Sequence, residues 1–409
     1  MHIAYIHQHF STKAGATGTR SYEMARRLIA AGHKVTMVCG VNDATASCFN
    51  VTGRVNEMDI DGIRVHCIAE PYSNKMGFYR RVLAFGQFAR TATRIVAGLD
   101  ADLVFATSTP LTVGLPGMNG ARKLGVPFVF EVRDLWPKLP IAMGIIKNPL
   151  LKWYTTRLER KIYHAAHRII ALAPGIKEGI VSTGYPAGQV AMIPNGCDLD
   201  VFKPSDEPLN DPRFGAPDDF KLVFTGAHGE ANGLDAVLDA ARVLKERNAI
   251  GIQFVFIGEG KIKPALMERT KQEGLDSLVR WVPPMPKAEL AKLQPRFDVG
   301  MMILKNIPSF YFGTSPNKFF DYISSGMPVL NNYPGWLAGM ICENECGYVV
   351  PPDDPCAFAD AVLWLRAHRD KKREMGDRAR KLAETQFARD KLGAEFVGVI
   401  EEALRSFRR

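Results

Sequence analysis

Short, mostly apolar segments alternate with longer helical patterns along this chain of 409 residues. Continuous apolar runs bounded by turn residues are typical of strands buried on both faces of a parallel sheet. Alternation of such strands with helices predicts doubly wound α/β domains. The segments lie at 3–7, 34–38, 102–106, 126–132, 168–172, 190–193, 221–226, 252–258, 279–282, 298–304, 328–332 and 347–350.

A polar, Pro-rich stretch at 199–219 interrupts this alternation between the sixth and seventh segments. Its composition is typical of a linker. The sequence therefore predicts an N-terminal Rossmann-like domain over 1–200 and a C-terminal one over 201–370. The charged helical pattern over 371–409 adds no strand. It can pack on either domain, and packing back on the N-terminal domain is one of the two alternatives.

The cysteines and the N-terminal residues indicate in which cellular compartment the protein is expected. The seven cysteines are an odd number, contain no CxxC pair and have no histidines at ligand spacing, which favours reduced structural thiols over a metal site. Residues 1–8 lack the basic region of a signal peptide, and no apolar stretch approaches the ~20 residues needed to cross a bilayer. We expect a cytoplasmic protein with no metal site.

The net charge of +9 predicts attraction to a polyanion. No nucleic-acid-binding module is recognisable, so the charge favours an anionic membrane surface as partner and not nucleic acid. In the segment 74–95, four arginines alternate with aromatic and aliphatic residues. This pattern is consistent with an amphipathic helix in the headgroup layer; the alternative is a surface helix whose apolar face lies in the core. The arginines are Arg80, Arg81, Arg90 and Arg94.

The segment 313–330 contains a well-marked helix start. Ser315 is predicted to be the N-cap, Pro316 the first helical residue, and Gly326 the end of the helix. The free amides and positive dipole end of such a helix suit an anion, commonly a phosphate. A capped core helix without a ligand is the alternative that this segment alone leaves open.

Two glycine-rich loops directly follow predicted strands, where ligands bind in open parallel sheets. The first, at 7–28, has Gly15 and Gly18 before a helix, and a flexible loop is its alternative interpretation. The second, at 224–237, contains His228 and predicts a phosphate-facing loop. A lone histidine there is also consistent with a purely structural role.

A third loop combines two carboxylates with a guanidinium at a strand end. It contains Glu131, Arg133 and Asp134. Such groups are candidates for acid–base and orienting roles, and a structural ion pair is the alternative. No P-loop lysine motif and no GxGxxG near the N-terminus is present, which weakens ATPase and dehydrogenase interpretations.

Four segments together resemble the retaining glycosyltransferase family 4. "IPNGCDLDVFKP" at 193–204 is similar to its interdomain signature, and "GTRSYEMARRLIAAGHKVTMV" at 18–38 to its first helix and second strand. "NKFFDYISSGMPVL" at 317–330 resembles its donor-site helix, and "CGYVVPPDDPCAFADAV" at 346–362 the segment that follows. The resemblance covers nearly the whole chain. It implies a GT-B fold, in which two Rossmann-like doubly wound domains face a central cleft.

Three shorter segments are similar to a narrower branch, the bacterial L-fucosamine and N-acetylhexosamine transferases of O-antigen and capsule synthesis. They are "FEVRDLWP" at 130–137, "GEANGLD" at 229–235 and "SPNKFFDY" at 315–322. This similarity implies a role in lipopolysaccharide or capsule assembly.

The resemblance also implies roles for the helix near Ser315, whose N-terminus faces the diphosphate of a nucleotide sugar in this family. Asp321 stands where the family has a glutamate that binds the ribose, whereas Gly313 replaces the carboxylate that meets the donor sugar. Lys318 and the amides of residues 314–317 are the candidates for neutralising the diphosphate.

On the acceptor side, Arg133 replaces the family's usual histidine, leaving Glu131 or Asp134 to activate the acceptor. The usual Arg and Lys of the earlier phosphate loop are Ala227 and Asn232 here. The candidate catalytic residues are Glu131, Asp134, Arg133 and Lys318. The candidate donor-binding residues are Gly15, Gly18, Gly226, His228, Gly229, Val282, Gly313, Thr314, Ser315, Asn317, Lys318 and Asp321.

The resemblance implies a metal-independent, retaining transferase, peripheral at the inner face of the cytoplasmic membrane. Its donor is a UDP-linked N-acetylated hexosamine or deoxyhexosamine, and its acceptor a polyprenyl-diphosphate-linked saccharide. One alternative is a UDP-N-acetylglucosamine 2-epimerase of the same fold. The other is a non-enzymatic nucleotide-sugar-binding protein, which the glycine at 313 makes conceivable.

Overall fold

The computed structural model describes residues 1–15, 18–42, 45–69 and 76–408. Their contacts divide the chain into two compact units, which are described separately. Unit 1 comprises Met1–Pro194, Gly313–Ser315 and Asp390–Arg409, and unit 2 comprises Asn195–Phe312 and Pro316–Arg389. The division at Pro194 falls six residues before the boundary that the sequence predicts.

Unit 1 is built on an eight-stranded sheet. Its strands are β1 (His2–Ile6), β2 (Lys34–Gly40), β3 (Val55–Ile60), β4 (Ile63–Ile68), β5 (Leu103–Thr107), β6 (Phe128–Val132), β7 (Arg168–Ala171) and β8 (Val190–Met192). Its first six helices are α1 (Arg20–Ala30), α2 (Phe78–Val96), α3 (Gly114–Leu124), α4 (Lys138–Ala142), α5 (Pro149–Ala165) and α6 (Pro174–Val181).

The strand order of this sheet is β3-β4-β2-β1-β5-β6-β7-β8. Only the β3–β4 pair is antiparallel among the described strands, and β1 pairs in parallel with both β2 and β5. The run from β4 through β7 follows the 3-2-1-4-5-6 order of the Rossmann fold, so its topological switch point lies between β1 and β5.

Unit 2 is built on a six-stranded parallel sheet of order β11-β10-β9-β12-β13-β14. The strands are β9 (Phe220–Thr225), β10 (Ile252–Ile257), β11 (Val279–Val282), β12 (Val299–Met302), β13 (Val329–Asn331) and β14 (Gly347–Val349). The helices are α7 (Asp235–Glu246), α8 (Lys263–Gln272), α9 (Lys287–Leu293), α10 (Pro308–Tyr311), α11 (Asn317–Ser324), α12 (Trp336–Glu343), α13 (Pro355–Ala367) and α14 (Arg369–Gln386). This order is again 3-2-1-4-5-6, with the switch point between β9 and β12.

The C-terminal segment forms two helices and not one. The first, α14, belongs to unit 2, and the second, α15 (Arg389–Phe407), lies almost entirely in unit 1. Phe396 of α15 packs edge-on against Phe105 of β5, with ring centroids 5.1 Å apart. Glu401 lies 3.1 Å from the His33 ring nitrogen. By their contacts, α14 therefore groups with unit 2 and α15 with unit 1.

All twelve strands predicted from the sequence are present, so the prediction of two Rossmann-like α/β domains is confirmed. Strands β3 and β4 were not predicted. They form a hairpin whose two turn residues, Asp61 and Gly62, have φ of 52° and 82°. Within the described ranges, no helix is long and apolar enough to cross a membrane.

The helix α3 sits close to its neighbours because glycine recurs at every third position. A Cβ on Gly117 would overlap the ring of Phe128 and approach Cβ of Ala106 to 3.1 Å. Gly86 of α2, by contrast, has open space around the position of a Cβ. The two glycines therefore form a matched pair for testing how tightly this layer is packed.

We expect Gly117→Ala to lower the free energy of unfolding by ~1–3 kcal/mol, because overpacking outweighs the better helix propensity of alanine. Gly86→Ala should instead raise it by up to ~1 kcal/mol. Thermal unfolding of both variants measures the difference. A Gly117→Ala variant as stable as Gly86→Ala would contradict the packing described for α3.

Candidate active site

The loops after β9 and β10 meet at the carboxyl edge of the unit 2 sheet, next to the switch point between β9 and β12. Gly226 follows β9 with φ of 116°, a backbone conformation that glycine adopts readily and other residues rarely do. Gly258 follows β10, and a Cβ there would overlap the carbonyl oxygen of Gly226. The two backbones therefore approach closely at the edge where doubly wound sheets bind ligands.

Helix α11 starts beside this loop, one residue later than the sequence predicts. Pro316 and not Ser315 occupies the N-cap position, and no side chain caps the first turn. Proline has no N–H and its side chain cannot accept a hydrogen bond, so the first amides of the helix lack a side-chain partner. The predicted end is confirmed, since Gly326 follows the helix with φ of 68°.

Lys318, in the first turn of α11, extends toward Gly226. Its Nζ lies 3.5 Å from the centroid of the Phe224 ring and 3.7 Å from where a Cβ of Gly226 would be. Within the described ranges, no carboxylate pairs with this ammonium and no hydrogen bond holds it. Burial lowers the pKa of Lys318 to about 7. Because its charge is unbalanced and partly desolvated, the side chain is suited to receiving an anion.

The ring of His228 is fully buried and packs among Phe224, Phe256 and Trp281. Burial lowers its pKa to about 4, so the ring is neutral at physiological pH. Its backbone N–H donates to the carbonyl of Glu259 at 2.9 Å. The sequence predicts a donor contact for His228, but in this structure the ring is closed off from solvent and the residue joins the two loops.

Three more predicted donor residues of unit 2 lie at the same sheet edge. Gly229 precedes the short helical turn Glu230–Asn232, and Asn317 is the exposed first residue of α11. Val282 ends β11, and its carbonyl accepts hydrogen bonds from the N–H of Gly258 and from Nζ of Lys263. Whether these residues bind a donor stays a prediction.

Asp321 lies one turn after Lys318. Burial raises its pKa to about 6, with Asp198 adding repulsion and Lys287 opposing it. Asp198 is itself paired with Lys287 at 2.6 Å and with Arg389. Asp321 has no partner of this kind among the described residues, so its carboxylate is available for another group.

The remaining predicted donor residues belong to unit 1 and not to unit 2. Gly313, Thr314 and Ser315 group with unit 1 by their contacts. Gly15 and Gly18 also lie in unit 1, and the residues between them fall outside the described ranges. Whether these five residues bind a donor stays a prediction.

Both oxygens of the Glu131 carboxylate accept hydrogen bonds from side chains of unit 1. Arg20 donates to it through Nε at 3.0 Å and Nη2 at 2.8 Å, and the Thr107 hydroxyl donates at 2.7 Å. Arg133 contacts it from the other side at 3.3 Å. Burial alone would raise the pKa of Glu131, but the two arginines outweigh it and lower the pKa. The structural ion pair, one of the two roles left open by the sequence, accounts for all of these contacts.

Asp134 presents the opposite situation. It is half-buried, and within the described ranges no hydrogen bond or ion pair to its carboxylate is present. Burial raises the pKa of Asp134, and Arg133 only partly offsets this. Of the two candidate acceptor-activating carboxylates, Asp134 alone is free to accept a proton.

Two residues central to these clusters were not identified from the sequence. Arg20 is 2% exposed and supplies the main counter-charge of Glu131. Phe224 provides the aromatic face under Lys318. An arginine at the start of a helix and a phenylalanine in a strand are common, so the sequence offers no local signal for either role.

Two family models match the chain, one in each unit. "Glycosyl transferase 4-like domain" matches residues 15–196, and "Glycosyl transferases group 1" matches residues 219–368. Together with the two Rossmann-like units, these matches define a glycosyltransferase of the GT-B fold class. Each unit therefore contains a glycosyltransferase domain, a 4-like domain in unit 1 and a group 1 domain in unit 2.

The chain is similar, at low sequence identity, to D-inositol 3-phosphate glycosyltransferases. The chain is 25% identical over 408 residues to the D-inositol 3-phosphate glycosyltransferase of Corynebacterium urealyticum, covering 93% of this chain and 89% of the relative. It is 28% identical over 281 residues to the enzyme of that name from Paenarthrobacter aurescens, covering 66% of each chain. These names specify an inositol phosphate and not fucosamine, O-antigen or capsule.

Solved structures support the fold over the full length. Sucrose-phosphate synthase from Thermosynechococcus elongatus superposes with a TM-score of 0.77 at 17% identity, covering 99% of each chain. HepE of Anabaena in complex with UDP-glucose superposes with a TM-score of 0.72 at 14% identity, covering 99% of this chain and 100% of the other.

Proposed function

We propose that the protein transfers an N-acetylated hexosamine or deoxyhexosamine, with retention, from a UDP-sugar to a polyprenyl-diphosphate-linked saccharide. We place it at the cytoplasmic face of the membrane, in lipopolysaccharide or capsule synthesis. The proposal of a nucleotide-sugar donor rests on one observation, the position of Lys318. Its ammonium is partly buried, has no partner among the described residues, and lies between Phe224 and Gly226 at the switch point of unit 2. A solved neighbour with UDP-glucose bound supports a UDP-sugar as donor.

The chemistry proposed for unit 2 is electrostatic. As the bond between the sugar and the diphosphate breaks, negative charge accumulates on the leaving group. The Lys318 ammonium and the uncapped amides of α11 can stabilise that charge. Asp321, whose carboxylate has no partner among the described residues, is proposed to accept hydrogen bonds from the ribose hydroxyls. We propose no metal or other cofactor for these steps.

The chemistry proposed for unit 1 is acceptor activation. Asp134 is the proposed base that takes the proton of the acceptor hydroxyl, and a raised pKa suits a carboxylate to this role. Arg133 has a guanidinium fixed by Thr107 at 2.9 Å and by Ser21 at 2.9 Å. It is proposed to orient the acceptor.

A phosphorylated polyol is a second candidate acceptor, favoured by the inositol 3-phosphate in the names of the relatives. It would use the same donor side. The two candidates differ only in what unit 1 binds, so acceptor panels separate them.

We expect a UDP-N-acetylhexosamine to raise the melting temperature more than the corresponding ADP- or GDP-sugar. Ligand at a hundred times its dissociation constant stabilises the folded state by ~2.7 kcal/mol. UDP should then be released only when an acceptor is added, and NMR of the product should show the anomeric configuration of the donor. An inverted product would contradict retention.

The same assay distinguishes the alternatives. Interconversion of UDP-sugars without acceptor would identify an epimerase. Stabilisation by a UDP-sugar with no product from any acceptor would identify a non-enzymatic binding protein.

A further inference from the structure

Three neighbouring helices carry nearly all of the net positive charge of unit 1. Helix α3 packs against both α2 and α5, with Gly120 close to Val96 and Gly114 close to Ile162. The three helices together carry ten basic residues and a single acid, Glu159. The basic residues are Arg80, Arg81, Arg90, Arg94, Arg122, Lys123, Lys152, Arg157, Arg160 and Lys161.

The single acid does not offset this charge at the surface. Glu159 is only 8% exposed, and burial raises its pKa to about 7. Arg157, Arg160 and Lys161 of α5 are exposed, and none forms an ion pair with any residue in the described part of the chain. Several exposed arginines elsewhere on the protein do have carboxylate partners, as Arg64 does with Glu57 at 2.9 Å. The positive charge of Arg157, Arg160 and Lys161 is therefore not neutralised by neighbouring carboxylates in the described part of the chain.

Large apolar side chains stand exposed on the same helix. Leu150 is 77% exposed, Trp153 64% and Tyr154 58%. The Arg157 guanidinium lies 5.9 Å from the centroid of the Trp153 ring. Lys152, Trp153, Arg157 and Lys161 also line a shallow groove of about 680 Å³ along the helix. Tryptophan, tyrosine and leucine beside unpaired cations form the combination that partitions into a headgroup layer.

We infer that the exposed face of α5, defined by Leu150, Trp153, Tyr154, Arg157, Arg160 and Lys161, is a docking site for an anionic phospholipid bilayer. The cations bind lipid phosphates while the apolar side chains enter the interface. A nucleic acid would satisfy the charges but leave Leu150 and Tyr154 in water. This inference deepens the proposed function, because a polyprenyl-linked acceptor requires the enzyme at a bilayer.

The α2 segment predicted from the sequence to bind the membrane is a second contact in this view. Its residues 74 and 75 lie outside the described ranges. Phe88 and Val96 are buried, which satisfies the core-helix alternative. Tyr79 at 83% and Leu83 at 66% are nevertheless exposed on the remaining face. One face of α2 thus packs in the core and the other is exposed, so both the core-helix and the membrane interpretation remain open for it. The vesicle experiment must therefore test α2 and α5 separately.

The test is cosedimentation of the full chain with vesicles of phosphatidylglycerol and phosphatidylcholine, without any substrate. Each exposed cation near an anionic surface strengthens binding to the vesicle. The triple variant Arg157→Gln, Arg160→Gln and Lys161→Gln should therefore lower the partition coefficient between vesicle and water by about 100-fold. Trp153→Ser with Leu150→Ser should also release the protein. Binding should be absent on pure phosphatidylcholine and weaken with salt.

The matched control removes three exposed lysines of unit 2, as Lys203→Gln, Lys271→Gln and Lys292→Gln. This variant has the same net charge as the α5 triple variant and should sediment like the wild type. Circular dichroism of each variant confirms folding, and UDP binding is measured in parallel. Because the vesicle assay contains no donor, failure to bind UDP-sugars would reject the proposed function without altering this result.

Four outcomes would overturn the inference. The α5 triple variant could sediment like the wild type, or the control could lose binding equally, showing that only net charge matters. Release by Arg80→Glu with Arg81→Glu but not by the α5 variants would assign the contact to α2 instead. Wild-type protein that ignores anionic vesicles but binds RNA would assign the charge to nucleic acid.

Discussion

Replacing Lys318 by methionine is expected to lower kcat by roughly 100- to 1000-fold, the loss measured when one group that stabilises transition-state charge is removed. Methionine keeps the length and apolar contacts of the side chain while removing the ammonium over the Phe224 ring. If the charge acts mainly on the departing diphosphate, kcat falls more than donor affinity does. Steady-state kinetics at saturating acceptor measures both parameters.

The same substitution should make the ligand-free protein more stable. Burial lowers the pKa of Lys318 to about 7 from 10.5 in the unfolded chain, so protonated Lys318 destabilises the native state. This penalty is complete below pH 7 and disappears as the pH rises toward 10.5. The rise in melting temperature of Lys318→Met should therefore be largest at pH 6 and shrink toward pH 10.

Binding of UDP should in turn protonate Lys318, because a diphosphate beside it favours the charged form. Calorimetry at pH 8 in two buffers of different ionisation enthalpy should show net proton uptake in the wild type and none in Lys318→Met. Lys271→Met, an exposed lysine on α8, is the control for both measurements. Wild-type kcat in folded Lys318→Met would reject the proposed role, and an unchanged proton uptake would assign the titration to another group.

The sequence predicts the sheets of this protein well because their strands are buried on both faces. A run such as 252–258 is apolar at nearly every position, so its interpretation does not depend on its neighbours. The β3–β4 hairpin fails this criterion, since β3 alternates exposed and covered positions at the edge of the sheet. The Asp61-Gly62 turn was the available signal for it.

The candidate sites were only half predictable from the sequence. Lys318 was identified by its position in a helix start, but its contact with Phe224 joins residues far apart in the chain. The Arg20–Glu131 pair likewise spans 111 positions. No local pattern encodes such contacts, since only the strand order of the folded sheet brings them together. The sequence therefore left Glu131 and Asp134 equivalent, although their surroundings differ completely.

That difference predicts opposite consequences for two isosteric substitutions. Asp134→Asn should leave the fold intact and lower kcat by roughly 100- to 10,000-fold, as expected when a general base is lost. Glu131→Gln should instead lower the free energy of unfolding by ~3–5 kcal/mol, because Arg20 remains buried without its counter-charge. Thermal unfolding and initial rates on both variants separate the catalytic from the structural carboxylate.

The pH dependence gives a readout that a purely structural Asp134 could not produce. A base must be ionised to accept the acceptor proton, so kcat should fall as the pH drops through the pKa of Asp134, which burial raises above its usual range. Asp134→Asn should lose this acidic limb along with most of its activity, whereas Glu131→Gln, where enough folded protein remains, should keep it. An acidic limb that persists in Asp134→Asn would assign the titration elsewhere. Wild-type turnover in that variant would show that the acceptor hydroxyl loses its proton without help from Asp134, and the proposed contribution of unit 2 through Lys318 would stand independently.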